Sequence, residues 1–171
     1  MNNLSKLAFG SLIFSFRNTP LNERKKILTF LLNNNITTID TAVSYSNDDK
    51  SFGQNEQILT ETLEEIYKDG KYSKNDLLIT TKGGTYRKDG KYLPKNNSEF
   101  LIESCNKSLK NLKLDTIPLY YLHALDRVTE IKEIAITFDN LKKEKKVLNL
   151  GLSNVEIFEA LEFLILHQQF L

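Results

Sequence analysis

The run Ile117-Pro118-Leu119-Tyr120-Tyr121-Leu122-His123 is short and apolar, and so is Val147-Leu148-Asn149-Leu150-Gly151-Leu152-Ser153-Asn154. Between them, Glu130 to Lys145 has the pattern of a helix. Strand, helix, strand in this order is the signature of two parallel strands joined by a crossover helix. Working outward, the same alternation recurs. Strands are expected at Lys6 to Gly10, Thr37 to Ala42 and Leu77 to Lys82, besides Ile117 to His123 and Val147 to Asn154. Helices are expected near Asn22 to Asn33, Gln54 to Tyr67 and Ser98 to Leu112, and a last one from near Val155 to at least Leu166. The predicted class is α/β, a run of βα units around a parallel sheet.

The helices carry their own signals. Ile27, Leu28, Leu31 and Leu32 line one face, with Glu23, Arg24 and Lys25 on the other. Ile58, Leu59, Leu63 and Ile66 form a second stripe, and Leu101, Ile102, Cys105, Leu109 and Leu112 a third. Asn33-Asn34-Asn35 marks a helix stop, because asparagine tolerates the left-handed conformation of a C-terminal cap. Gly83 to Asn97 reads as an irregular loop after the third strand, and nothing in the chain reads as a linker, so residues 1–171 are expected to form one domain.

Composition narrows the function. The 23 Lys and Arg against 22 Asp and Glu leave a formal charge of +1, so clustered basic charge for nucleic acid or anionic membrane is missing. Lys142-Lys143-Glu144-Lys145-Lys146 suits the negative end of a helix dipole instead. A single cysteine, Cys105, rules out an internal disulfide and any Cys-based zinc site. Neither a membrane-length apolar run nor the apolar core of a signal peptide is present, which sets the expectation of a cytoplasmic protein.

Polar residues gather where predicted strands end: Asp40 with Tyr45, Lys82, His123, and Ser153 with Asn154. In a parallel sheet those ends share one mouth, where ligands bind. The set suits proton donation to a carbonyl. A tyrosine phenol, with a reference pKa of about 10, is a weak acid until a lysine ammonium beside it favours the phenolate. The aspartate would hold the lysine, and the histidine could orient the carbonyl oxygen. None of these groups supplies electrons, so reduction needs a hydride donor such as a nicotinamide.

Quoted in order, the motifs resemble those of the aldo-keto reductase family. Leu4-Ser5-Lys6-Leu7-Ala8-Phe9-Gly10-Ser11 is similar to its opening, and Asp40-Thr41-Ala42-Val43-Ser44-Tyr45 to its Asp-Thr-Ala-x-x-Tyr. Asn55-Glu56-Gln57-Ile58-Leu59, Thr80-Thr81-Lys82-Gly83-Gly84, Ser108 to Asp115 with Leu119 to His123, and Leu150-Gly151-Leu152-Ser153-Asn154 follow at family spacing. The resemblance implies a (β/α)8 TIM-barrel type of fold, with Tyr45 as general acid and Asp40, Lys82 and His123 completing a catalytic tetrad. It implies NADP(H) as cofactor, touched by Gly10, Ser11, Asp40, Ser153 and Asn154, a small-molecule carbonyl substrate and no metal. A full barrel takes ~250 residues. The 171 residues are therefore expected to build about five units, a truncated and incomplete barrel in which most of the family's dinucleotide site is missing. Open sheet edges favour self-association. Alongside the reductase, two further readings stand: an inactive remnant, and a non-enzymatic binding or regulatory protein of the same fold. Two departures stand out, Pro118 inside a strand and Asn149 where the family often has a basic residue.

Overall fold

A computed structural model describes residues 5–168. Five strands, β1 (Ala8–Gly10), β2 (Thr38–Asp40), β3 (Leu78–Gly83), β6 (Ile117–Leu122) and β7 (Val147–Leu152), pair in parallel in the order β1-β2-β3-β6-β7. Among the described residues the sheet stays open, with β1 and β7 at its edges. Helices α2 (Leu21–Asn33), α3 (Gln54–Tyr67), α4 (Ser98–Leu112) and α5 (Ile131–Lys143) make the crossovers, and α6 (Ile157–Gln168) follows β7. A short helix α1 (Leu12–Phe16), unforeseen in the sequence, fills the turn after β1.

The helical stripes bury as their periodicity requires with two exceptions: Ile102 is 38% exposed, and Arg24, expected on the outer face, is buried and pairs with Glu61 at 3.1 Å. Leu28 and Leu32 of α2 meet Leu59, Leu63 and Ile66 of α3 over Phe14, Ile39 and Ile79. A second cluster joins Leu101 and Cys105 to Tyr120, Leu122, Ile134, Phe138, Val147 and Phe163. Each such large side chain contributes about 1.5–3 kcal/mol through its removal from water. Cys105 is buried as its place in the stripe implied, and burial pushes its thiol up to about 12.

Three of the helix stops, after α2, α4 and α5, follow one design. At Asn35, Lys113 and Lys145, all left-handed, the chain closes with paired backbone bonds back to the last turn. After α2, for example, Asn35 N–H donates to Leu32 O at 3.1 Å and Ile36 N–H to Leu31 O at 2.9 Å.

Gly83 to Asn97 departs from the expectation of an irregular loop. It contains an antiparallel hairpin, β4 (Thr85–Lys88) and β5 (Lys91–Pro94), turning on Asp89 (φ 51°) and Gly90 (φ 74°). Both turn residues have positive φ, which a two-residue hairpin of this twist requires. The tip is tied down by Gly90 N–H to Asp49 Oδ1 and by the Arg87–Asp49 ion pair, both at 3.2 Å. β1, β2 and β7 are shorter than the expected runs by one or two residues at an end, since only part of each run finds ladder partners. Pro118 is the second residue of β6, and Asn149 beside it donates its side-chain amide to the Pro118 carbonyl at 2.9 Å. That bond fastens β7 to β6 where proline withholds a ladder donor.

Candidate active site at the strand ends

Alternation along β2 and β3 decides which side chains meet. Ile39 and Ile79 point to the helices, while Asp40, Thr80 and Lys82 share the opposite face. Because Asp40 pairs with Thr80 in register, the Thr80 hydroxyl donates to Asp40 Oδ1 at 2.9 Å. The other carboxylate oxygen, Oδ2, accepts from Lys82 Nζ at 2.5 Å. Lys82, 8% exposed, also donates to Thr41 O at 2.8 Å and to Tyr45 Oη at 3.2 Å. An ammonium has three N–H donors. All three are engaged, the third on the phenol.

Tyr45 lies beyond β2 on a turn fastened from both sides. Val43 N–H donates to Lys82 O, and Gly53 and Asn55 N–H groups donate to Val43 O and Tyr45 O. Buried Asn55 ties this turn to the end of β1: its Oδ1 accepts from the Ser11 and Thr41 hydroxyls, and its amide donates to Ser11 O and Ser15 Oγ. His123 follows β6 directly, with its ring edge-on to Tyr45 at 5.4 Å between centroids. Its Nδ1 lies 2.8 Å from Thr85 Oγ1 and 3.3 Å from Ser44 Oγ. Burial, reinforced by the Lys82 charge, lowers its pKa to about 4, so the ring is neutral at physiological pH. On the outer side, Tyr92 of the hairpin packs edge-on against Tyr45 at 6.1 Å.

Asp40, Tyr45, Lys82 and His123 thus come together. Ser153 and Asn154 close β7 beside them: Ser153 N–H donates to Leu122 O, and the Asn154 amide to His123 O at 2.8 Å and Ser153 Oγ at 3.0 Å. Gly10 is exposed at the end of β1, whereas Ser11 is fully buried with its hydroxyl turned to Asn55 and Asp40 O. Ser44, Thr80, Thr85 and Tyr92 were not singled out by the sequence reading. Thr80, two residues before Lys82, was within reach of the strand alternation; Ser44 and Thr85 meet across 41 positions, and nothing local announces it.

Parallel βα units with this polar set at their strand ends define the class: a protein of the (β/α)8-barrel type. The Aldo/keto reductase family model matches residues 6–168, and the chain belongs to that family of oxidoreductases. It is 32% identical over 127 residues to aldo-keto reductase YhdN of Bacillus subtilis, a match covering 74% of this chain and 35% of that protein. It is 27% identical over 134 residues to L-glyceraldehyde 3-phosphate reductase of Escherichia coli K12, covering 78% of this chain and 37% of that one. Among solved structures, the glycerol dehydrogenase AKR11B4 of Gluconobacter oxydans superposes with a TM-score of 0.80 at 25% identity, covering 97% of this chain and 50% of the other. The chain therefore spans about half or less of each of these relatives.

Proposed function

We propose that this chain carries the proton-donating and carbonyl-orienting chemistry of an NADP(H)-dependent reductase, which converts an aldehyde or ketone to an alcohol with Tyr45 as general acid. The observation that carries this reading is the full engagement of Lys82. Because Tyr45 Oη accepts from Lys82, its own hydrogen points elsewhere and is available to a carbonyl oxygen. As that proton leaves, the phenolate forms beside a fixed ammonium, which stabilises it without reorganisation. Asp40 and Thr41 O hold the ammonium in place, and Thr80 holds Asp40. Neutral His123 is poised to orient the carbonyl oxygen beside Tyr45.

The residues present fit the nicotinamide end of the cofactor. A Cβ built on Gly10 would meet no atom within 4 Å, so a flat group can lie over that strand end beside Asp40. The Asn154 N–H donors already serve His123 O and Ser153 Oγ, so Asn154 offers its carbonyl oxygen, and Ser153 its hydroxyl, to a carboxamide. When bound, the cofactor supplies the hydride that the carbonyl carbon receives. Ser11, turned inward, serves the strand end rather than a ligand in this reading.

A second reading, a binding or regulatory protein without turnover, is favoured by one observation. Helix α6 turns Ile157, Phe158, Leu161, Leu164 and Ile165 to solvent, a surface suited to contact. Titration of the purified chain with NADPH, followed by fluorescence with and without an aldehyde, separates the two. Saturable binding together with oxidation of NADPH by the aldehyde supports the reductase; a folded chain that does not oxidise it overturns that reading in favour of the second.

A further inference from the structure

Ser44, Thr85 and His123 Nδ1 form a closed triangle. Thr85 Oγ1 lies 2.8 Å from Ser44 Oγ and 2.8 Å from His123 Nδ1, and Ser44 Oγ lies 3.3 Å from the same nitrogen. Ser44 is 0% and Thr85 3% exposed, so water is shut out. Among the described residues, neither hydroxyl has an acceptor outside the triangle.

The hydrogens can then be counted. Each hydroxyl brings one hydrogen, which needs an acceptor. If Nδ1 is bare, Thr85 donates to Ser44 and Ser44 donates to Nδ1, and both hydrogens are used. If Nδ1 carries a hydrogen, it can donate to Thr85, but the nitrogen no longer accepts. Whichever way the two hydroxyls then turn, one buried O–H is left unpaired. Leaving a buried donor unpaired is the expensive outcome.

We infer that Ser44 and Thr85 are positioning residues, whose paired hydroxyls fix His123 as the tautomer with its hydrogen on Nε2. That nitrogen, on the ring edge away from the hydroxyls, is thereby made a donor suited to a carbonyl oxygen. The inference rests on the proposed reductase for its purpose, though not for its test. The arrangement also explains why a serine precedes Tyr45 and why the hairpin begins with threonine: each places a hydroxyl behind the imidazole. Thr85 links the histidine to β4, so the hairpin, besides flanking Tyr45 through Tyr92, reaches the site from behind.

The test reads the ring nitrogens directly. The chain has two histidines, so a chain labelled with ¹⁵N-histidine, with a His123→Asn variant for assignment, gives the His123 tautomer by NMR at neutral pH without cofactor or substrate. The expected result is an Nε2–H form at about 90% or more, because an unpaired buried hydrogen shifts such an equilibrium roughly tenfold or further. Combined Ser44→Ala and Thr85→Val is expected to raise the Nδ1–H form several-fold, and Thr85→Ser alone to keep the wild-type ratio. A wild-type ring carrying its hydrogen on Nδ1, or a double variant with an unchanged ratio, would overturn the inference. The wild-type spectrum decides by itself if the double variant fails to fold. Absence of NADPH turnover would sink the reductase reading and leave this result untouched.

Discussion

Lys82 is a buried cation, and burying a charge is costly unless it is paired and hydrogen-bonded. Asp40, Thr41 O and Tyr45 meet that requirement together, so the lysine is held in one place by the groups it serves. His123 shows the opposite solution: burial and the Lys82 charge keep it neutral. The sign of the resulting pH dependence follows. A histidine with a pKa near 6.5 when unfolded and about 4 when folded binds more protons in the unfolded state between those values. Its contribution to stability is complete above about pH 6.5 and is lost as pH falls towards 4. Urea midpoints measured across that window should decline, and the decline should be shallower in His123→Asn. Glu56 acts in the other direction. It is fully buried beneath Thr81 and Asn111, and burial raises its pKa. Its contribution is present at acid pH and fades as pH rises through its folded pKa, so Glu56→Gln should flatten the alkaline side of the same curve. The tetrad was legible in the sequence because its members sit at or just past strand ends. The residues behind it, Thr85 above all, were not, because hydroxyl residues are common and their contacts here are long-range.

At the scale of elements, three of the four crossover helices, α2, α4 and α5, end on left-handed residues that are not glycine, Asn35, Lys113 and Lys145, while α3 is followed by left-handed Gly70. A lysine in that conformation bears a steric cost of roughly 1–2 kcal/mol, which glycine avoids while losing more backbone freedom on folding. Lys145→Gly should therefore stabilise the chain by about 0.5–1 kcal/mol, read as a higher urea midpoint with an unchanged slope. A lower midpoint would mean that the lysine side chain does more than its cap position suggests. Strands and helices were legible because apolar period and length agree along most of the chain. The hairpin of β4 and β5 was missed although Asp89-Gly90, the pair that favours such a turn, stands in the sequence. Its flanks, Thr-Tyr-Arg-Lys and Lys-Tyr-Leu-Pro, lack a clear apolar alternation, because the hairpin lies outside the core and is held by Asp49, Tyr45 and His123. Pro118 and Asn149, separate oddities in the sequence, prove to be one feature, since the asparagine amide reaches the proline carbonyl.

At the scale of the whole molecule, β1 and β7 are unpaired edges among the described residues, and α6 exposes Ile157 (82%), Phe158 (68%), Leu161 (55%), Leu164 (51%) and Ile165 (59%) along one side. Apolar stripes and open strand edges both promote association. Charged substitutions at Leu161 and Ile165 are expected to lower concentration-dependent association in sedimentation velocity; an unchanged profile would place the driving surface elsewhere. No helix among the described residues is long and apolar enough to cross a membrane. The role proposed for Tyr45, set by Lys82, is to donate the proton in carbonyl reduction. It is tested most directly by the rate of NADPH oxidation with a simple aldehyde, in the wild-type chain and in Tyr45→Phe. Turnover is expected in the wild type and a loss of about 10²–10⁴-fold in the variant, with NADPH binding retained. A variant as fast as the wild type, or a folded wild-type chain that binds NADPH and does not oxidise it, would rule out that role for Tyr45.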